Sequence, residues 1–208
     1  LYWEYKFRME HVGLSMNLET MQAMCDDGFE DMKRMRCDVI RCHLTPADFT
    51  DAEGNLVETM WLDMLGYMIG KAREHGIYVY ITFINHMDFT LIEESFVANS
   101  TREEWIFDPD VVQATHNYVR QLISLRNPYT GICYKDDATI AVWGLINEPE
   151  YLTYRQMMLD AKQKATFAAW LEANDYPWND VYYGKYREAE VRAYIDDLHD
   201  ILREAGAE

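Results

Sequence analysis

The sequence predicts an α/β fold, and within that class a (β/α)8 TIM barrel of which only about the first four βα units are present. Three observations lead there. Short runs of β-branched and aromatic residues alternate with longer stretches whose apolar residues recur at helical spacing, as in parallel strands joined by helical crossovers. No GxGxxG turn follows the first strand or occurs elsewhere, which disfavours a doubly wound nucleotide-binding sheet. The last strand runs directly into Asn147-Glu148-Pro149, at the strand end where barrel enzymes assemble their sites. A complete barrel has eight strands and typically about 250 residues. The 208 residues here, taken as a single partial domain over 1–208, read as four strands with their helices.

His11 to Asn17 reads as a short first strand, and Leu18 to Arg36 as a helix with Met21, Met24, Phe29, Met32 and Met35 at helical spacing. Cys37 to Leu44 is a second strand, followed by a loop of turn chemistry, T-P-A-D and D-A-E-G-N. Trp61, Leu62, Leu65, Met68, Ile69 and Ala72 form a helix stripe that stops at His75-Gly76. Ile77 to Ile84 has the composition of a strand buried on both faces. A loop with Asn85, His86, Asp88 and Phe89 leads to a helix from about Pro109 to Leu125, and Asn127 to Gly131 is a turn. Ala138 to Ile146 reads as a fourth buried strand. The rest, about Tyr151 to Ala205, is helical with a break near Asn174 to Pro177.

Composition narrows the partners. With 19 basic against 36 acidic residues the net charge is −17, which opposes a nucleic-acid groove and docking on an anionic membrane surface. A neutral sugar polymer is indifferent to that field. No apolar run approaches the ~20 residues of a membrane span. The chain starts at Leu1 without a basic-then-apolar leader; a mature secreted protein or an excised piece would both begin this way, and an extracellular or periplasmic location is the expectation. Cys25, Cys37, Cys42 and Cys133 show no metal-binding spacing and read as free thiols, with a disulfide left open. No metal or organic cofactor is implied.

Glu148 is the sharpest candidate for chemistry. A carboxyl at the end of an apolar strand is expected to be partly desolvated, which disfavours its anion and suits it to donate a proton to a leaving oxygen. The alternative is that Glu148 merely caps the helix that follows. Arg41, inside V-I-R-C-H-L, is either a carboxylate-holding guanidinium or a surface ion-pair member. His43 lies two residues further and so shares its strand face. His86 is a substrate contact or an ordinary loop histidine. Among the aromatic residues, Trp61, Trp105 and Trp170 read as core, Trp143 as packing that shapes the pocket, and Tyr151 as a weaker substrate contact.

The segment Y-K-D-D-A-T-I (Tyr134 to Ile140) leading into W-G-L-I-N-E-P (Trp143 to Pro149) resembles the fourth-strand region of clan A glycoside hydrolases, family 5-like. It is most similar to the endo-β-mannanase-like members, in which Y-K-D-D-P-T-I precedes W-E-L-x-N-E-P; Ala138 and Gly144 depart from that pattern. M-K-R-M-R-C-D-V-I-R (Met32 to Arg41) is similar to the family's first helix and second strand. G-I-Y-V-Y-I-T-F-I-N-H-M (Gly76 to Met87) is similar to its third strand, with Asn85-His86-Met87 where mannanase-like members have Asn-Asn-Trp. The resemblance implies that Glu148 is the general acid/base, that Asn147 hydrogen-bonds the sugar 2-hydroxyl and that Arg41 stands near the nucleophile. Asn85 and His86, in the stretch similar to the third strand, and His43, on the Arg41 face of its strand, are the further substrate-binding candidates.

Retaining glycosidases need two carboxyl groups roughly 5–5.5 Å apart. In the resembled family the second is a Glu ending the seventh strand, beyond these residues. Asp48, Asp88, Glu93 and Glu94 match no nucleophile position and read as loop or cap residues. The expectation is therefore cleavage of a β-linked polysaccharide, mannan or glucan, with the remainder of the barrel as partner. The rival is a non-catalytic carbohydrate-binding or scaffold module.

Overall fold

The computed structural model describes residues 17–85, 94–98 and 100–207. Its helices start where a polar side chain satisfies the first free backbone N–H groups. Helix α1 (Leu18–Arg34) opens on Asn17, whose side chain accepts from the Thr20 N–H at 2.8 Å. Helix α2 (Met60–His75) opens on Thr59, which accepts from Leu62 at 3.3 Å. Between them lies strand β1 (Val39–His43), and after α2 comes β2 (Tyr78–Thr82). A short helix α3 (Glu104–Phe107) precedes α4 (Pro109–Ser124), which combines an Asp108 cap with Pro109 in its first turn. Strand β3 (Ile140–Gly144) is followed by α5 (Tyr154–Met157), α6 (Ala161–Asn174) and α7 (Asp180–Ala205).

The three strands are parallel in the order β1-β2-β3, with Arg41 beside Tyr80, Tyr80 beside Val142, and Thr82 beside Gly144. One face carries Ile40, Cys42, Val79, Ile81 and Phe83, all buried in the core. The helices supply the other half of that core: Met21, Cys25, Phe29 and Met32 from α1, and Met64, Leu65, Met68 and Ile69 from α2. Helix α4 adds Tyr118, Val119, Leu122 and Ile123. Each such side chain contributes roughly 1.5–3 kcal/mol by leaving water. Helix α1 packs on α2, and α4 on α7. The Asn127 turn is tied to α2, where its side-chain amide donates to the Gly66 carbonyl at 3.0 Å.

Strands and helices expected from Cys37 onward are all present, with boundaries trimmed by a few residues. The expected first strand falls on residues 11–16, outside the described residues, and Asn17 is the cap of α1. The break near Asn174 to Pro177 is real, with Asp175 in the left-handed region at φ 55°. Two expectations are corrected. Neither the Ile77–Ile84 strand nor the Ala138–Ile146 strand is buried on both faces: Tyr78 and Val142 are 55% and 45% exposed, as Val39 on β1 is at 56%. The reason is geometric. In a closed barrel that face is the packed interior, whereas the described residues form an open three-stranded arc with β1 and β3 as its edges. The four cysteines are free thiols, and burial pushes the Cys25 thiol up to about 12.

Gly76 ends α2 at φ 67°, in the left-handed region that costs a side-chain-bearing residue about 1 kcal/mol. No atom lies within 4 Å of a Cβ placed there, so the cost of Gly76→Ala is conformational alone. Urea unfolding of this variant is expected to show a loss of about 1 kcal/mol with an unchanged slope.

Candidate active site

The site sits at the C-terminal ends of the strands. Alternation along β1 sends Ile40 and Cys42 to the core, so Arg41 and His43 emerge on the open face. The guanidinium of Arg41 then meets all three strand ends. Its Nε donates to the Thr82 hydroxyl at 3.2 Å and its Nη2 to the Asn147 side-chain oxygen at 3.2 Å. Its Cζ stands 4.8 Å from the centre of the Tyr80 ring, a cation–π contact. Asn147 in turn donates its amide to the Asn85 side-chain oxygen at 3.0 Å. Both amides are held by main-chain bonds that extend the sheet past its strands. Asn85 N–H donates to Leu44 at 2.9 Å and Asn147 N–H to Ile84 at 2.9 Å.

Tyr80 and Gly144 explain each other. A Cβ on Gly144 would stand 2.6 Å from a Tyr80 ring carbon and 2.9 Å from the Thr82 hydroxyl. The phenol ring fills the space a side chain at 144 would need, and it carries Arg41 on its face. The departure from W-E-L noted in the sequence is therefore matched by a bulky neighbour on β2.

Glu148 follows directly, with its backbone in the left-handed region at φ 44°. Its carbonyl accepts from the Arg102 Nη2 at 2.7 Å, while Arg102 Nη1 pairs with Glu150 at 2.6 Å. Glu148 is not the cap of the next helix. Thr153 takes that role in a reciprocal pairing with Gln156. The expected desolvation of Glu148 is corrected: the residue is exposed, because nothing among the described residues covers the sheet beyond β3.

His43 is half-buried beside this cluster, its Nδ1 buried without a hydrogen-bond partner. Burial, reinforced by the Arg41 charge, holds its pKa below the usual 6.5, against the opposing pull of the Asn85 side chain. Thus Arg41, His43, Asn85 and Asn147 lie together at the strand ends, with Glu148 next to Asn147 in the chain. His86, Asp88 and Glu93 lie outside the described residues. Asp48 is buried in the loop after β1, and Glu94 is exposed. Tyr151, two residues beyond Pro149, packs on Phe107 at 5.9 Å with Arg187 across its ring at 5.7 Å. Sequence reasoning missed Tyr80, Thr82 and Arg102. The first two were within reach, since Tyr78, Tyr80 and Thr82 share a period of two opposite the apolar positions. Arg102 carries no such signal, standing 46 residues from its partner. Among the described residues no group of three or more His, Cys, Asp or Glu is placed to hold a metal ion.

Parallel strands joined by helices, with a hydrogen-bonded polar cluster at their C-terminal ends, are the arrangement found in part of a (β/α) barrel. Comparison with solved structures shows the same fold. The endo-β-1,4-mannanase of Thermotoga petrophila superposes with a TM-score of 0.52 at 22% identity, covering 73% of this chain and 37% of that one. The endo-1,4-β-mannanase of Rhizomucor miehei gives 0.50 at 20%, covering 62% and 40%. In sequence the chain is similar to mannan endo-1,4-β-mannosidase 4 of Oryza sativa subsp. japonica, 34% identical over 100 residues, which are 44% of this chain and 22% of that protein. It is likewise similar to mannan endo-1,4-β-mannosidase 5 of Arabidopsis thaliana, 30% identical over 98 residues, 43% and 23% respectively. The match thus spans less than a quarter of these curated relatives' length. No family model matches the chain. The resemblance to endo-β-mannanases is upheld over this part of the chain.

Gly144→Ala is expected to push Tyr80 aside and cost about 1–3 kcal/mol, as overpacking does. Thermal unfolding measures it, and the cost should shrink in a Tyr80→Ala background. His43 gives a pH prediction. Its folded pKa lies below the unfolded value near 6.5, so its stabilising contribution is full above that pH and is lost as pH falls toward the folded value. His116, also depressed by burial, contributes in the same direction. The difference in urea stability between wild type and His43→Gln, taken at about pH 7.5 and again at about pH 5, isolates the His43 share; it should change in favour of the variant at the lower pH.

Proposed function

We propose that this chain forms about the first four βα units of a β-mannan-cleaving glycoside hydrolase barrel, with Glu148 as its general acid/base. The observation that carries the reading is the placement of Glu148 at the end of β3, next to an Asn147 oriented by Arg41 and Asn85. The mannanase names of the relatives and structural neighbours support mannan over glucan as the substrate class.

In this reading cleavage proceeds with retention. A carboxylate from a strand beyond these residues attacks the anomeric carbon as Glu148 gives its proton to the departing glycosidic oxygen. Glu148 then removes a proton from the incoming water, which attacks the glycosyl-enzyme and frees the carboxylate. Arg41 holds that nucleophile ionised, as a fixed guanidinium on a rigid strand suits it to do. Asn147 hydrogen-bonds the sugar 2-hydroxyl, while Asn85 and His43 line the subsite beside it, and His86 keeps its expected role as a substrate contact. Substrate and the strands beyond β3 would supply the desolvation that the exposed Glu148 lacks in this arc. An extracellular or periplasmic setting suits an enzyme acting on a polymer, and no helix among the described residues is long and apolar enough to cross a membrane. The rival reading, a non-catalytic carbohydrate-binding module, draws no support from these relatives, which carry enzyme names.

Glu148→Gln in the whole enzyme tests the assignment. General acid/base catalysis contributes about 10²–10⁴-fold, so reducing-sugar release from β-mannan should fall by that much. Activity within a few-fold of wild type would overturn the role.

A further inference from the structure

The segment Asn147-Glu148-Pro149-Glu150 is held from two sides. On one side Asn147 is pinned to the end of β2, by its N–H to Ile84 and its side chain to Asn85. On the other stands Arg102, reaching across from the loop that leads to α3. Its two terminal nitrogens grip residues on either side of Pro149, the Glu148 carbonyl at 2.7 Å and the Glu150 carboxylate at 2.6 Å. The side chain is only 19% exposed, and its Nε is buried without a partner. A guanidinium so withdrawn from water makes stronger bonds than a surface one.

The arm that presents Arg102 is itself fixed. Thr101 N–H donates to the Glu104 carboxylate at 2.7 Å, and the Trp105 indole donates to Ser100 at 3.0 Å. Trp105 is buried at the foot of this turn. Glu148 needs such support, since a non-glycine residue at φ 44° costs of order 1–3 kcal/mol and persists only where its surroundings over-determine it.

From this geometry we infer that Arg102 is a positioning residue for Glu148: by clamping its carbonyl and Glu150 together, it keeps the left-handed turn that aims the Glu148 carboxyl toward the open mouth of the sheet. The inference rests on the reading of Glu148 as proton donor. Arg102 touches no substrate in this role and acts only through the main chain of residue 148.

The test separates proton donation from general damage by the choice of leaving group. Mannan needs its departing oxygen protonated, whereas a dinitrophenyl β-oligomannoside releases a phenolate that leaves without a proton. In the whole enzyme, Arg102→Ala should lower kcat on β-mannan about 10–100-fold with KM within about threefold, as misplacement by an ångström does. Glycosyl-enzyme formation from the dinitrophenyl substrate, read as the initial phenolate burst, should stay within about threefold of wild type. Arg102→Lys, a point charge in place of a fork, should restore part of the loss. Should the alanine variant fail to fold, Glu150→Gln releases one arm of the clamp at an exposed side chain and should give the same leaving-group pattern at smaller amplitude. Equal losses on both substrates, or no loss on mannan, would overturn the inference. A Glu148→Gln enzyme that keeps its mannan activity would instead remove the proton-donor reading beneath it.

Discussion

One guanidinium ties the three strand ends into a single unit. Arg41 sits on the edge strand β1, hydrogen-bonds Thr82 on β2, and reaches Asn147 just past β3. A cation in that place orients every neighbouring dipole: the Asn147 oxygen turns toward it, so the Asn147 amide turns outward to Asn85. The Tyr80 ring beneath offers its negative face to the same charge. Planarity and five fixed donors are what let one side chain do this, and a flexible ammonium would not. Register decides the rest. Arg41 and Tyr80 are direct partners in the parallel ladder, so the ring lies beside the guanidinium by the geometry of the sheet.

The space for that ring comes from Gly144. Small and large residues alternate in barrel interiors because facing side chains share a limited volume. Here the bulk has been placed on β2 and withdrawn from β3, leaving Arg41 a platform that an acidic side chain at 144 would have displaced. Glycine at this position is thus a packing choice with an electrostatic consequence.

The same open face accounts for the exposure of Glu148. A strand end dries its carboxyl only when something covers it, and here β3 is an edge of the described arc. Val39, Tyr78 and Val142 are exposed for the same reason, although their sequence context is that of core residues. Among the described residues, an apolar surface of this kind and two unpaired strand edges favour association with further strands.

Much of this was legible in residue order. Helical spacing marked α1, α2 and α4, the glycine at 76 marked where α2 stops, and the apolar runs marked the strands. Alternation placed Arg41 and His43 on one face, and the strand running into Asn147-Glu148-Pro149 marked the sheet end that carries the candidate site. These are local matters, set by steric preference and by the periods of helix and strand. Tertiary structure alone decided which faces are buried, because burial depends on what lies across the sheet and not on the strand's own composition. It also decided that Thr153, not Glu148, caps the following helix, and that Arg102 from a distant loop closes on the Glu148 turn. A contact between residues 46 positions apart leaves no period to read, since it exists only once the chain has folded back on itself.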